Sequence, residues 1–135
     1  MKKVISIVFT LALSLGILSP IALAKSGVVD FDLTRRYLSG DKTGNYHYLK
    51  KGNVVLKTSA YTDYSSKIKY TVQLVESKDW AIDKYYSSKN QYAGANKRIS
   101  NSATWKVSAK GKYYLIFEKG ADHVRLKGDG TIKNK

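Results

Sequence analysis

The chain has 135 residues, no cysteine, one proline and a formal charge of +14, from 24 Lys+Arg against 10 Asp+Glu. That length accommodates one domain built on one core. The missing cysteines exclude a disulfide framework, a thiolate metal site and a cysteine nucleophile.

The N-terminus has a leader pattern. Met1-Lys2-Lys3 supplies positive charge, residues 4–18 are mostly apolar, Pro20 breaks any helix, and Ala22-Leu23-Ala24 puts small residues where a signal peptidase reads. A membrane anchor needs about 20 apolar residues and this run is shorter. The expectation is a signal peptide over 1–24, cleaved after Ala24, and a basic domain over 25–135. Only Lys2 and Lys3 lie in the leader, so the domain keeps 22 basic residues against 10 acidic ones, a net +12. A lysine-rich, cysteine-free exported chain fits a Gram-positive bacterium, with the product secreted, extracellular or wall-associated.

Along the domain, β-forming residues alternate with period two. Residues 29–33 place Val29, Phe31 and Leu33 on one face. Residues 53–61 follow, with Val54, Leu56, Thr58 and Ala60 together. The clearest run is 67–76, where Ile68, Tyr70, Val72 and Leu74 oppose Lys67, Lys69, Thr71 and Gln73. Residues 104–108 bring Trp105 and Val107 to one side. Residues 112–118 are apolar on both faces, which reads as a central strand covered twice. Residues 123–127 and 130–133 supply two short closing strands, divided by a Gly128-Asp129-Gly130 turn. Residues 79–86 read as a helical turn or irregular strand, and 87–95 as a long polar surface loop, the place where binding residues often sit. Residues 80–92 are the first candidate for a recognition region. The expected fold is all-β: a single antiparallel β-sandwich, jelly-roll or Ig-like, of about seven to eight strands.

The run Gly111-Lys112-Tyr113-Tyr114-Leu115-Ile116-Phe117, followed by Gly128-Asp129-Gly130-Thr131-Ile132, resembles the closing strands of small secreted bacterial β-sandwich modules, the pre-peptidase C-terminal domains. The resemblance covers the last 25 or so residues. It implies an accessory sandwich of the kind attached to extracellular enzymes, and it assigns no site residue.

All 11 tyrosines and both tryptophans fall in the domain and interleave with lysine, as in Tyr46-His47-Tyr48-Leu49-Lys50-Lys51 and Lys84-Tyr85-Tyr86-Ser87-Ser88-Lys89. Lysines attract a polyanion at long range, and aromatic faces stack on sugar rings or bases. The residues expected to bind are Lys67 and Lys69, then Trp80, Lys84, Tyr85, Tyr86 and Lys89. The expected partner is an anionic polymer: teichoic acid, wall polysaccharide or extracellular DNA. Two alternatives stand beside it, an antibacterial or toxin-like action on an anionic membrane surface and an inhibitor or accessory role on an extracellular protein partner. Catalysis has little support. His47 and His123 show no metal spacing, and His123 with Arg125 and Glu118 is a thin basis for a nuclease. Arg35-Arg36 reads as a solvated pair. The domain is therefore expected to be non-enzymatic, with no cofactor and no metal.

Overall fold

A computed structural model describes residues 27–121 and 123–135. The expected signal peptide, its cleavage point and Asp122 lie outside the described residues. The elements are β1 (Val29–Leu33), β2 (Tyr37–Ser39), a one-turn helix α1 (Gly40–Thr43), β3 (His47–Leu49), β4 (Gly52–Thr62), β5 (Ile68–Ser77), β6 (Lys84–Ala95), β7 (Ile99–Val107), β8 (Gly111–Lys119) and β9 (Leu126–Asn134). The first sheet runs β1-β9-β4-β7. The second runs β6-β5-β8, with β2 and β3 both pairing β8 along its far side. Pairing is antiparallel except where Tyr61 and Thr62 of β4 meet Gly94 and Ala95 of β6 in parallel. That contact carries the end of β6 over to the first sheet, so one side of the sandwich closes towards a barrel. The opposite side, along β1 and β2–β3, stays open.

Alternation sets which side chains fill the gap between the sheets. Val54, Leu56 and Ala60 of β4, Tyr70, Val72 and Leu74 of β5, and Tyr113, Leu115 and Phe117 of β8 share one cluster with Trp105 and Ile132. Phe31 joins the sheets by stacking on Phe117 with ring centroids 4.2 Å apart. At the centre of this core, the hydroxyls of Thr58 and Tyr70 donate to Gln91 Oε1 at 2.9 and 2.8 Å. The doubly covered reading of 112–118 holds: Tyr114 and Ile116 point outward and are buried with Val75 beneath Tyr46.

Three local readings differ from the sequence expectation. The stretch 87–95, expected as a loop, belongs to strand β6, and the described residues hold nine strands. β6 hides from a periodicity search because Gln91, a fully buried inward residue, is polar, its Oε1 accepting from Thr58 and Tyr70. A bulge opposite residues 73–75 also breaks its alternation. Residues 104–108 are only the end of β7, whose first half is Ser- and Asn-rich. Finally, Gly128-Asp129-Gly130 lies inside one continuous β9. These glycines admit close neighbours: a Cβ on Gly128 would collide with the Phe31 ring, and one on Gly130 with the Lys57 backbone.

Candidate functional site

The two sheets present different outer faces. On the second sheet, register places outward side chains in rows across β6, β5, β8 and the β2–β3 edge. Tyr92 lies opposite Lys69; Asn90, Thr71, Glu118 and Tyr37 form the next row. Tyr85, Val75 and Tyr114 follow, and Lys112 lies opposite Ser77 and Tyr48 near the far end. Tyr37, Tyr48, Tyr85 and Tyr92 are all exposed. Lysines here meet rings: Lys67 Nζ stands 4.8 Å from the Tyr92 centroid, and Lys112 Nζ 4.4 Å from that of Tyr46. Among the described residues, no carboxylate pairs with Lys67 or Lys69.

The structure brings part of the sequence-expected set onto this face. Lys67 and Lys69 flank Tyr92 at one end of β5, and Tyr85 lies on the same face towards the other end. Lys69 and Ser77 are eight residues apart along β5, roughly 26 Å at strand rise. Trp80, in the loop beyond Ser77, is 98% exposed. The others turn elsewhere. Lys84 donates to Ser108 Oγ at 2.7 Å, at the β6–β7 side. Tyr86 is half-buried against the core and its hydroxyl lies 3.2 Å from the same Ser108 Oγ. Lys89 pairs in register with inward Val72 and is half-buried. Tyr37, Tyr48 and Lys112 belong to the face without standing out in the sequence, and Tyr92 joins them from the 80–92 stretch read as a recognition region. Tyr48 stood in the quoted Tyr–Lys run, so a signal existed.

The middle of the face is built around Tyr114. Its hydroxyl donates to Asp83 Oδ2 at 2.7 Å. Burial, then the adjacent Asp83, push its pKa well above the usual phenol range. Asp83 Oδ1 accepts the Lys78 N–H at 2.9 Å; that bond and the Tyr114 hydroxyl hold the carboxyl below its ordinary value. This side chain thus closes the base of the 78–83 loop onto the sheet.

On the first sheet's outer face three basic residues meet acids, while Lys57 and Lys133 have no carboxylate partner among the described residues. Arg125 holds Asp32 bidentately at 2.7 and 3.1 Å, Lys127 stands 3.8 Å from the same carboxylate, and Arg98 lies 3.3 Å from Asp129. Arg98 also covers the Tyr61 ring at 5.0 Å. Arg125 is therefore engaged with Asp32, while His123 packs edge-on to Tyr64 at 6.2 Å, in the turn before β9. Among the described residues, no three His, Asp or Glu side chains gather into a metal-binding group, and no helix is long and apolar enough to cross a membrane.

No family model matches the chain, and no curated protein matches it in sequence. Solved structures match it in fold. A CBM4 carbohydrate-binding module aligns with a TM-score of 0.50 at 12% identity, over 70% of this chain and 60% of its own length. The C-terminal family 22 carbohydrate-binding module of Clostridium thermocellum Xyn10B aligns at 0.46 and 12%, over 64% of this chain and 61% of its own. The pre-peptidase C-terminal domain of collagenase from Bacillus anthracis aligns at 0.41 and 18%, over 77% and 86%. The chain thus spans about three-fifths of the first two structures. The resemblance read from the closing strands reappears among these solved folds, and the likeness establishes a β-sandwich.

Proposed function

We propose that the chain is a secreted, non-catalytic binding protein that takes an anionic polymer of the cell surface or wall along the outer face of the second sheet. One observation carries this reading: on that face Lys67 and Lys69, without carboxylate partners among the described residues, flank exposed Tyr92, and exposed Tyr85 lies on the same face towards the other end of β5 and β6. Lys67 and Lys69 supply long-range attraction; Tyr92, Tyr85 and, past the strand end, Trp80 supply flat rings for sugar units. A strip of about 26 Å suits a chain ligand better than a small molecule. That a module of similar fold is by name carbohydrate-binding agrees with a polymer as the ligand class.

The test is capture of the protein on purified Gram-positive walls, with and without their teichoic acids, at low and high salt. Capture that needs the acids, weakens with salt and is lost in a Lys67→Glu/Lys69→Glu variant supports the proposal. A salt-resistant one-to-one complex with an extracellular protein, and no wall capture, would replace it with the inhibitor or accessory reading. Export is part of the proposal, and mass spectrometry of the protein from culture medium is expected to find it starting at Lys25.

A further inference from the structure

The loop between β5 and β6 has a shape that polymer binding does not require. Trp80 is 98% exposed and Ile82 89%. A sugar ring stacks on tryptophan, but an isoleucine standing free beside it gains nothing from a hydroxylated chain. Both side chains gain from an apolar slab. The rest of the loop is arranged around that tip. Asp83 is drawn back by the Lys78 N–H and the Tyr114 hydroxyl, and Asp79 sits 3.9 Å from Lys112 Nζ. Asp83 therefore faces the body, Asp79 is offset by Lys112, and Trp80-Ala81-Ile82 projects without a charge of its own.

The surrounding end of the sandwich is cationic. Register puts the β3–β4 turn with Lys50 and Lys51, the β7–β8 turn with Lys110, and the C-terminal Lys135 at the same end as this loop, beside Lys78 and Lys112. Asp79 and Asp83 are the acids exposed in these turns, and both are engaged as described. An apolar tip set among lysines complements a surface with negative headgroups over a hydrocarbon interior.

We infer that this end docks on an anionic phospholipid bilayer, with Trp80 and Ile82 entering the interface and the lysines meeting headgroups. The inference rests on the reading that the protein works at an anionic surface, and adds a second contact at right angles to the sheet face. No membrane is spanned. Three residues reach the interface while the sandwich stays outside.

Every described strand and the whole described core lie after residue 26, so the form starting at Lys25 keeps them all. That form is titrated with vesicles of phosphatidylcholine alone and of phosphatidylcholine with phosphatidylglycerol, following tryptophan emission. Trp105 is 3% exposed and donates to the Ser87 carbonyl at 2.7 Å, so it is a constant background and any shift reports Trp80. A blue shift is expected on the anionic vesicles only. Ile82→Ser, which alters neither charge nor ring, is expected to lower partitioning about tenfold and leave polymer capture intact. Absence of the blue shift, or an Ile82→Ser protein that partitions like the parent, overturns the bilayer contact. Unchanged polymer capture by Lys67→Glu/Lys69→Glu, with a normal vesicle response, overturns the polymer reading alone.

Discussion

Both outer faces carry cations, and they differ in what lies across from them. On the first sheet Asp32 faces Lys127 directly across β1 and β9, and Asp129 meets Arg98, so the basic residues along β1 and the start of β9 are neutralised where they stand, while Lys57 and Lys133 further along are not. On the second sheet the position across from Lys69 is Tyr92, and the one across from Lys112 is Tyr48. Lys112 also meets Asp79 at 3.9 Å, and it is the charge of Lys67 and Lys69 that is left for an outside partner. A net charge gives the strength of a protein's field; strand register decides which surface projects it.

The comparison presumes that one rigid core holds both faces, and the harshest way to break it is at the ring joining the sheets. Phe31→Ala removes the stack on Phe117 and is expected to cost about 4 kcal/mol in urea-unfolding stability, loosening both faces together. Alkali separates them next. Burial raises the Tyr70 pKa from 10 to about 12, and Tyr113 and Tyr114 of the second sheet are raised as well. A raised phenol favours the folded state fully below pH 10 and loses that contribution as pH climbs through the folded value. Tyr70 alone accounts for about 3 kcal/mol across that window. Titration at 295 nm should show these three tyrosines ionising only as the fold is lost.

Charge reversal sharpens the contrast directly. Lys67→Glu/Lys69→Glu should lower salt-sensitive polymer affinity about tenfold or more, whereas Lys57→Glu/Lys133→Glu on the first sheet should stay within about threefold. The smallest effect is expected at Asp32. Its carboxyl is held below the ordinary range chiefly by the Arg125 hydrogen bond, so its contribution is present above the unfolded pKa and lost as pH falls through the folded one. At 41% exposure the pair is solvent-screened, and Asp32→Asn should cost under about 1 kcal/mol and leave polymer capture unchanged.

What could be read from the residues was what burial writes into them. β1, β4 and β5 show their inward residues as an apolar beat, and β8 declared its cover on both faces because Tyr114 and Ile116 are themselves buried. β6 did not, since an inward glutamine in a hydrogen-bonded core looks the same in sequence as a solvated one. Gly128 and Gly130 misled for a related reason: glycine marks a turn and a crowded strand alike, and only the Phe31 ring and the Lys57 backbone tell them apart. Of the binding residues, Lys67 and Lys69 followed from the alternation of β5. The grouping of Tyr37, Tyr48 and Tyr92 with them needs β2, β3 and β6 to be laid beside β5 and β8, a long-range fact that no local pattern carries.

The closed side of the sandwich limits how copies of this protein can meet. There β6 and β7 lie edge to edge: the Tyr92 N–H donates to Asn101 Oδ1 at 2.9 Å, Asn101 Nδ2 donates back to the Tyr92 carbonyl at 2.9 Å, and Trp105 caps Ser87. Backbone groups that would otherwise recruit a neighbouring strand are already engaged. Strand addition is left to the β1 and β2–β3 side. Association through that side would leave the stapled β6–β7 side of each copy facing outward.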